Sequence, residues 1–191
     1  GRAFKIGVGY EWRPPMANTA FIAPEICNDY VANLKDEHVF SSEFSYQFQN
    51  SWLHANVNAY YSRLDHVTEW QCFYNDDENS FTYVSMTGLK KEYYGVEAGL
   101  DFKLTSFLNF KAVGSISDAK NINNVNAYYM LSKSAELKSD KAYVKDMRES
   151  GTPLKVGSLG LNFHSNGWFI DLNANYYDRI YLSYSPSYRY A

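Results

Sequence analysis

The feature that most constrains this chain is a two-residue rhythm, interrupted by connections of two very different lengths. Phe4, Ile6, Val8, Tyr10 and Trp12 alternate with Lys5, Gly7, Gly9 and Glu11. Phe44, Tyr46 and Phe48 alternate with Glu43, Ser45 and Gln47, and Leu53, Ala55, Val57, Ala59 and Tyr61 with His54, Asn56, Asn58 and Ser62. The longest run sets Tyr94, Val96, Ala98, Leu100, Phe102 and Leu104 against Gly95, Glu97, Gly99, Asp101 and Lys103. Leu108, Phe110 and Ala112, then Leu159, Leu161 and Phe163, then Trp168, Ile170, Leu172, Ala174 and Tyr176 complete the series. Alternation at this period places successive side chains on opposite faces of a strand, so seven half-buried strands are expected, with the region around 80–92 lengthening the fourth.

The joints sort into two kinds. "QNS" before Trp52, "TSF" before Leu108 and "HSNG" before Trp168 are of hairpin length. The other connections, about 13–37, 65–80 and 118–154, are long and rich in Asn, Asp, Ser and Lys. Short and long connections alternate, and antiparallel neighbours put successive joints at opposite ends. All the short turns therefore lie at one end and all the long loops at the other. Long unstructured loops are uncommon in compact soluble domains. Short periplasmic turns and longer extracellular loops are the habit of outer-membrane β-barrels.

Composition fits that choice. Aromatic residues make up 18% of the chain, yet mean hydropathy is only −0.44. No apolar run approaches the ~18 residues of a membrane helix. A barrel reconciles the two values, because one face of each strand lines a polar lumen. Trp12, Tyr61, Tyr94, Trp168 and Tyr176 fall near strand ends, where an aromatic girdle would lie. Glu43, Glu97, Asp101, Lys103, Lys111 and Asp171 fall near mid-strand on the opposite face. On this reading Trp168, Ile170, Leu172, Ala174 and Tyr176 face lipid, while Asp171, Asn173 and Asn175 face the lumen. A net charge of −3 and a pI near 5.8 give no basic footprint for nucleic acid. The alternative is a soluble β-sandwich carbohydrate-binding module, whose strands also alternate. A membrane-barrel enzyme is a third reading.

Three stretches carry a resemblance. "NLKDEHVFSSEFSYQFQNSWLHANVNAYYSRLDHV" (33–67), "GLKKEYYGVEAGLDFKLTSFLNFKAVGSISDAK" (88–120) and "NANYYDRIYLSYSP" (173–186) occur in an order that resembles the barrels of TonB-dependent outer-membrane receptors. The last stretch is similar to the form common among Bacteroides-type members. The resemblance implies that residues 1–191 are part of one receptor barrel domain of about 22 strands. It implies import of a bulky nutrient (glycan, siderophore, haem or cobalamin) across the outer membrane of a Gram-negative bacterium. Energy would come from the TonB complex through a plug domain, and a surface lipoprotein would be a candidate partner. The start, "GRAFKIGVGY", already has strand pattern, and neither a plug nor the last barrel strands are recognisable, so the chain reads as a segment of a longer protein.

No G-x-S-x-G, H-E-x-x-H or Gly-rich phosphate loop is present, so neither an enzyme nor a cofactor is expected. His38, His54, His66 and His164 are scattered, and His54 and His164, at turn ends on the polar face, read as solvated residues. The candidate ligand contacts lie in "EWQCFYNDDEN" (69–79): Trp70, Phe73 and Tyr74 could stack on a sugar ring or planar ligand, beside Asp76 and Asp77. "NDDEN" offers oxygens but lacks the spacing of a calcium loop, so no metal is expected. Cys27 and Cys72 are either unrelated or a single disulfide stapling two loops. "WRPPMANTAFIAPEIC" (12–27) reads as an ordered non-helical loop. Met130, Leu131, Ala135, Leu137 and Val144 suggest a short helical piece in the longest connection.

Overall fold

The computed structural model describes residues 1–151, 153–178 and 180–182. Seven strands run consecutively side by side, all antiparallel: β1 (Arg2–Arg13), β2 (Glu37–Gln49), β3 (Leu53–Asn75), β4 (Ser80–Lys103), β5 (Leu108–Asn121), β8 (Lys155–Ser165) and β9 (Trp168–Tyr177). Two further strands, β6 (Val125–Leu131) and β7 (Lys138–Ala142), add to the upper part of β4, making a nine-stranded sheet. A sandwich needs a second sheet about 10 Å from the first. The described strands form one sheet, so the sandwich expectation is not met.

The register confirms that alternation is continuous across the sheet. Phe4, Tyr46, Val57, Ala98, Gly114, Gly157 and Tyr176 form one row on the apolar face. Ala3, Gln47, Asn56, Gly99, Val113, Ser158 and Asn175 form a row on the other. The three short turns lie at one end, as expected. Asn50 Oδ1 accepts from the amides of Trp52 and Leu53, closing the first. Thr105 Oγ1 caps the second through the Phe107 amide. Asn166 and Gly167 both hold positive φ, 49° and 83°, as a two-residue type I′ hairpin requires.

The loop end differs from expectation in three places. The segment 65–80 is not a loop: β3 and β4 continue through it and close only at 76–79. The longest connection is not helical: "VNAYYML" is rich in β-formers, and the free edge of β4 at 82–87 accepts it as β6. The Pro-rich segment contains one helical turn, α1 (Ala17–Ala20), following Pro14 and Pro15.

A paired irregularity marks where the sheet changes character. Leu64 pairs Lys91, Val67 pairs Leu89 and Glu69 pairs Met86, so each strand carries one extra residue. His66 (φ 62°) and Gly88 (φ 78°) absorb them in the left-handed region. Below this joint the apolar face is bare: Phe4 and Ile6 are 70% and 77% exposed. Above it both faces are covered. Ile22, Ala23 and Val31 pack with Tyr83 and Met130 on the side continuous with the apolar face. Val144 packs with Val67, Met86, Leu89 and Val125 on the side continuous with the polar face.

Candidate functional site

Above the joint, β3 and β4 rise as a two-stranded hairpin about 30 Å high, at about 3.3 Å per residue. Strand alternation divides the expected contact residues between its faces. Trp70, Cys72 and Tyr74 share a face with their partners Ser85, Tyr83 and Phe81. Phe73, opposite Thr82, points the other way. Asp76 and Asp77 occupy the exposed tip, where the Asn79 amide donates to the Asp76 carbonyl.

These residues do different work. Trp70 Nε1 donates to the Ile22 carbonyl at 2.7 Å, and its ring lies 6.2 Å from that of Tyr83. Trp70 therefore ties the 14–36 connection to the hairpin. Tyr74 packs edge-on against Phe81 at 5.3 Å, and its hydroxyl bonds the Asn79 side chain. Phe73, Tyr74 and Phe81 each remain about half exposed, forming an aromatic tip beside the acids. Lys133, in the β6–β7 turn, bonds the Glu78 carboxylate and carbonyl. That bond holds the Glu78 carboxyl below its usual range. Among the described residues, no three carboxylates, histidines or cysteines converge on a metal-sized site.

Phe81, Tyr83, Glu25 and Lys133 were not foreseen. For Phe81 and Tyr83 a signal is present around "NDDEN": once read as a turn, it pairs Tyr74 with Phe81 and Cys72 with Tyr83, whereas Glu25 and Lys133 come from distant connections and leave none. Tyr83 is pushed up to about 12 by its hydrogen bond to Glu25, then by burial. Cys27 and Cys72 are free thiols rather than a staple. Cys27 Sγ donates weakly to Met130 Sδ at 3.6 Å, and burial raises the Cys72 thiol. Of the histidines, His38 bonds the Tyr10 hydroxyl at 2.9 Å and His54 bonds Gln47 at 2.8 Å.

Buried charge fastens the 143–150 segment. Lys91, 4% exposed, bridges Glu69 and Glu149, and the Tyr93 hydroxyl also donates to Glu149. On the opposite face Arg148 bonds Asp118 and the Tyr181 hydroxyl, which holds its guanidinium above the usual arginine range. Lower on the polar face, a hollow of about 550 Å³ is lined by Glu43, Asn58, Tyr60, Ser62 and Glu97, with Gly7 and Gly9 opening one side. Tyr60 lies flat over Gly95: a Cβ there would stand 2.7 Å from its hydroxyl.

The family model described as TonB dependent receptor-like, beta-barrel, matches residues 2–191. The chain belongs to this family. No curated protein and no solved structure gave a match. Members of the TonB-dependent receptor family are outer-membrane receptors and transporters of Gram-negative bacteria, not enzymes. Binding of a ligand and coupling to TonB are properties of the family. The nine-stranded sheet is thus part of such a barrel, and it does not close on itself within these residues. In outer-membrane barrels generally, short turns are periplasmic and longer loops extracellular.

Proposed function

We propose that this segment forms wall and mouth of an importer for a bulky nutrient of the glycan, siderophore, haem or cobalamin type. The observation that carries the reading is the contrast across the paired bulge. Below it seven strands present one bare apolar face, which needs lipid, and one polar face, which suits a lumen. Trp168, Ile170, Leu172, Ala174 and Tyr176 then face lipid, with Asp171, Asn173 and Asn175 lumenal. Above it the hairpin stands in water with its own core on both faces.

Capture falls to the tip, where Phe73 on one face and Tyr74 on the other offer flat apolar area beside Asp76 and Asp77, with Trp70 on the Tyr74 face below. Passage runs along the polar wall past Glu43, Tyr60 and Glu97. TonB acts through a plug domain outside these 191 residues, and a surface lipoprotein is a candidate cap over the mouth. The "NANYYDRIYLSYSP" resemblance favours the Bacteroides-type branch, and its later residues, from Ser183, lie outside the described ones.

The test is binding by the full-length receptor in detergent of haemin, cyanocobalamin, ferrichrome and a maltooligosaccharide. One of them is expected to bind, and truncating Phe73 and Tyr74 to Ala is expected to weaken it about tenfold or more, the scale of two lost ring contacts. Failure of all four, in a protein that stays monomeric in plain buffer, overturns the reading.

A further inference from the structure

The hollow of about 550 Å³ on the polar face is built from six polar side chains of three strands. Glu43 and Tyr60 stand side by side in one row, between Gly7 on β1 and Gly95 on β4. Asn58 and Glu97 are neighbours one row nearer the short turns, and Ser41 and Ser62 one row farther from them. The seat is open because Gly7 carries no side chain: a Cβ there would meet nothing nearer than the Glu43 Cβ at 3.9 Å. Tyr60 rests its ring against Gly95, which leaves the ring's other face to the hollow.

Glu97 sets the charge of this seat. Its partners across the strands are Asn58 and Ser115, and its neighbours along β4 on the same face are Gly95 and Gly99. Glu97 makes no ion pair among the described residues; Lys5 is engaged by Glu43 at 3.5 Å and Lys111 by Asp101 at 3.6 Å. No lysine, arginine or histidine lines the hollow. One carboxylate is therefore left over, and the seat is negative.

We propose that this hollow is a subsite for one uncharged sugar ring, and that Glu97 is the residue that turns acidic sugars away. The Tyr60 ring offers a flat apolar platform to the C–H face of a pyranose. Asn58, Ser41 and Ser62 both donate and accept, while Glu43 and Glu97 accept from sugar hydroxyls as charged partners. A carboxylate, phosphate or sulfate on the ligand would face Glu97 with no lining cation to offset it. Haem propionates and the cobalamin phosphodiester carry such anions; a neutral pyranose does not. The volume falls within the roughly 300–1,000 Å³ of small-molecule sites. The subsite rests on the importer reading and names, within it, the ligand class that this stretch of wall fits.

The test uses the full-length receptor in an amine-oxide detergent, which carries no sugar of its own. Phe73 and Tyr74 are truncated to Ala throughout, so that the hairpin tip does not contribute. Ligand-observed nuclear magnetic resonance then follows methyl glucoside and methyl glucuronide, which differ only by a carboxylate. The glucoside is expected to bind about fivefold more tightly, the scale of one like-charge contact in water. Glu97→Gln is expected to raise the glucuronide to the glucoside level, a gain that misfolding cannot produce. Gly7→Phe, which fills the seat, and Tyr60→Ala, which removes the platform, are expected to weaken both rings about tenfold. Absent glucoside binding, or binding indifferent to Gly7→Phe, overturns the subsite and leaves the importer reading to its own four ligands. Equal binding of the two rings before Glu97 is changed overturns the role of that residue. Methyl glucosaminide bound more than about tenfold above the glucoside marks an amine site and overturns the sugar assignment. A receptor that stays monomeric in plain buffer overturns the subsite and the importer reading together.

Discussion

Trp70 Nε1 and the Ile22 carbonyl, 48 residues apart, meet at 2.7 Å and make the one indole hydrogen bond between the hairpin and the first long connection. Ile22 is fully buried, and its carbonyl gains a donor that backbone neighbours do not supply. Trp70→Phe keeps an aromatic ring there but orphans that carbonyl, so local stability should fall by about 1–3 kcal/mol. Hydrogen exchange across 17–31 in the full-length receptor should accelerate, with 108–121 unaffected. Equal protection in both segments would show that the bond does not hold the loop.

Gly95 has no room for a methyl group. A Cβ would meet the Tyr60 hydroxyl at 2.7 Å and the Ile116 carbonyl at 2.8 Å. Tyr60 can swing away; the backbone carbonyl cannot. Gly95→Ala should destabilise the barrel by about 1–3 kcal/mol, and adding Tyr60→Ala should relieve only part. Gly114→Ala, with nothing closer than 3.8 Å, should be neutral or mildly stabilising. Thermal unfolding in detergent separates the two cases.

Lys91 is nearly buried between Glu69 and Glu149. Lys91→Met leaves two carboxylates facing each other without their cation, at a cost of about 3–5 kcal/mol. Glu69→Gln with Glu149→Gln should recover much of the loss in the Lys91→Met background. Protease cleavage within 143–150 is the readout. A single variant as resistant as the parent would remove the bridge from any account of this loop.

Tyr83 supplies a dependence on alkaline pH. Its folded-state value, raised to about 12, exceeds the ordinary tyrosine value of 10.0. A raised value means that its stabilisation is complete below pH ~10 and fades as pH climbs through about 12. Glu78 has the opposite sign. Its depressed value means that the Lys133 contact holds at neutral pH and is lost in acid, below the ordinary carboxylate range. Ultraviolet titration should show a late tyrosine component that Tyr83→Phe diminishes. Protection at 76–79, measured against the intrinsic exchange rate at each pH, should fall in acid, and Glu78→Gln should abolish that acid response.

What was legible in the sequence follows from solvent contrast. In β1, in β2, from Leu53 to Leu64 and from Lys91 to Lys103 one face is apolar and the other polar, so alternation reports strand, register and turn together. Above His66 and Gly88 both faces are buried under loops, and the contrast vanishes. "EWQCFYNDDEN" consequently reads as loop although it is mostly strand. Met130 and Leu131 mislead for a related reason: Met130 is fully buried beneath Ile22 and Cys27, a long-range contact that no local spacing encodes. Trp70 was visible as important but not as a clamp, since its partner is a backbone carbonyl and leaves no trace in side-chain pattern.

The matched extra residues at His66 and Gly88 carry a developmental freedom for the molecule. One insertion alone would rotate every side chain beyond it to the wrong face, whereas two opposed insertions cancel. The hairpin above can therefore be lengthened, shortened or exchanged in whole pairs while the submerged register stays untouched. The joint works as a coupling flange, by which the hairpin can be refitted without rebuilding the sheet it is bolted to.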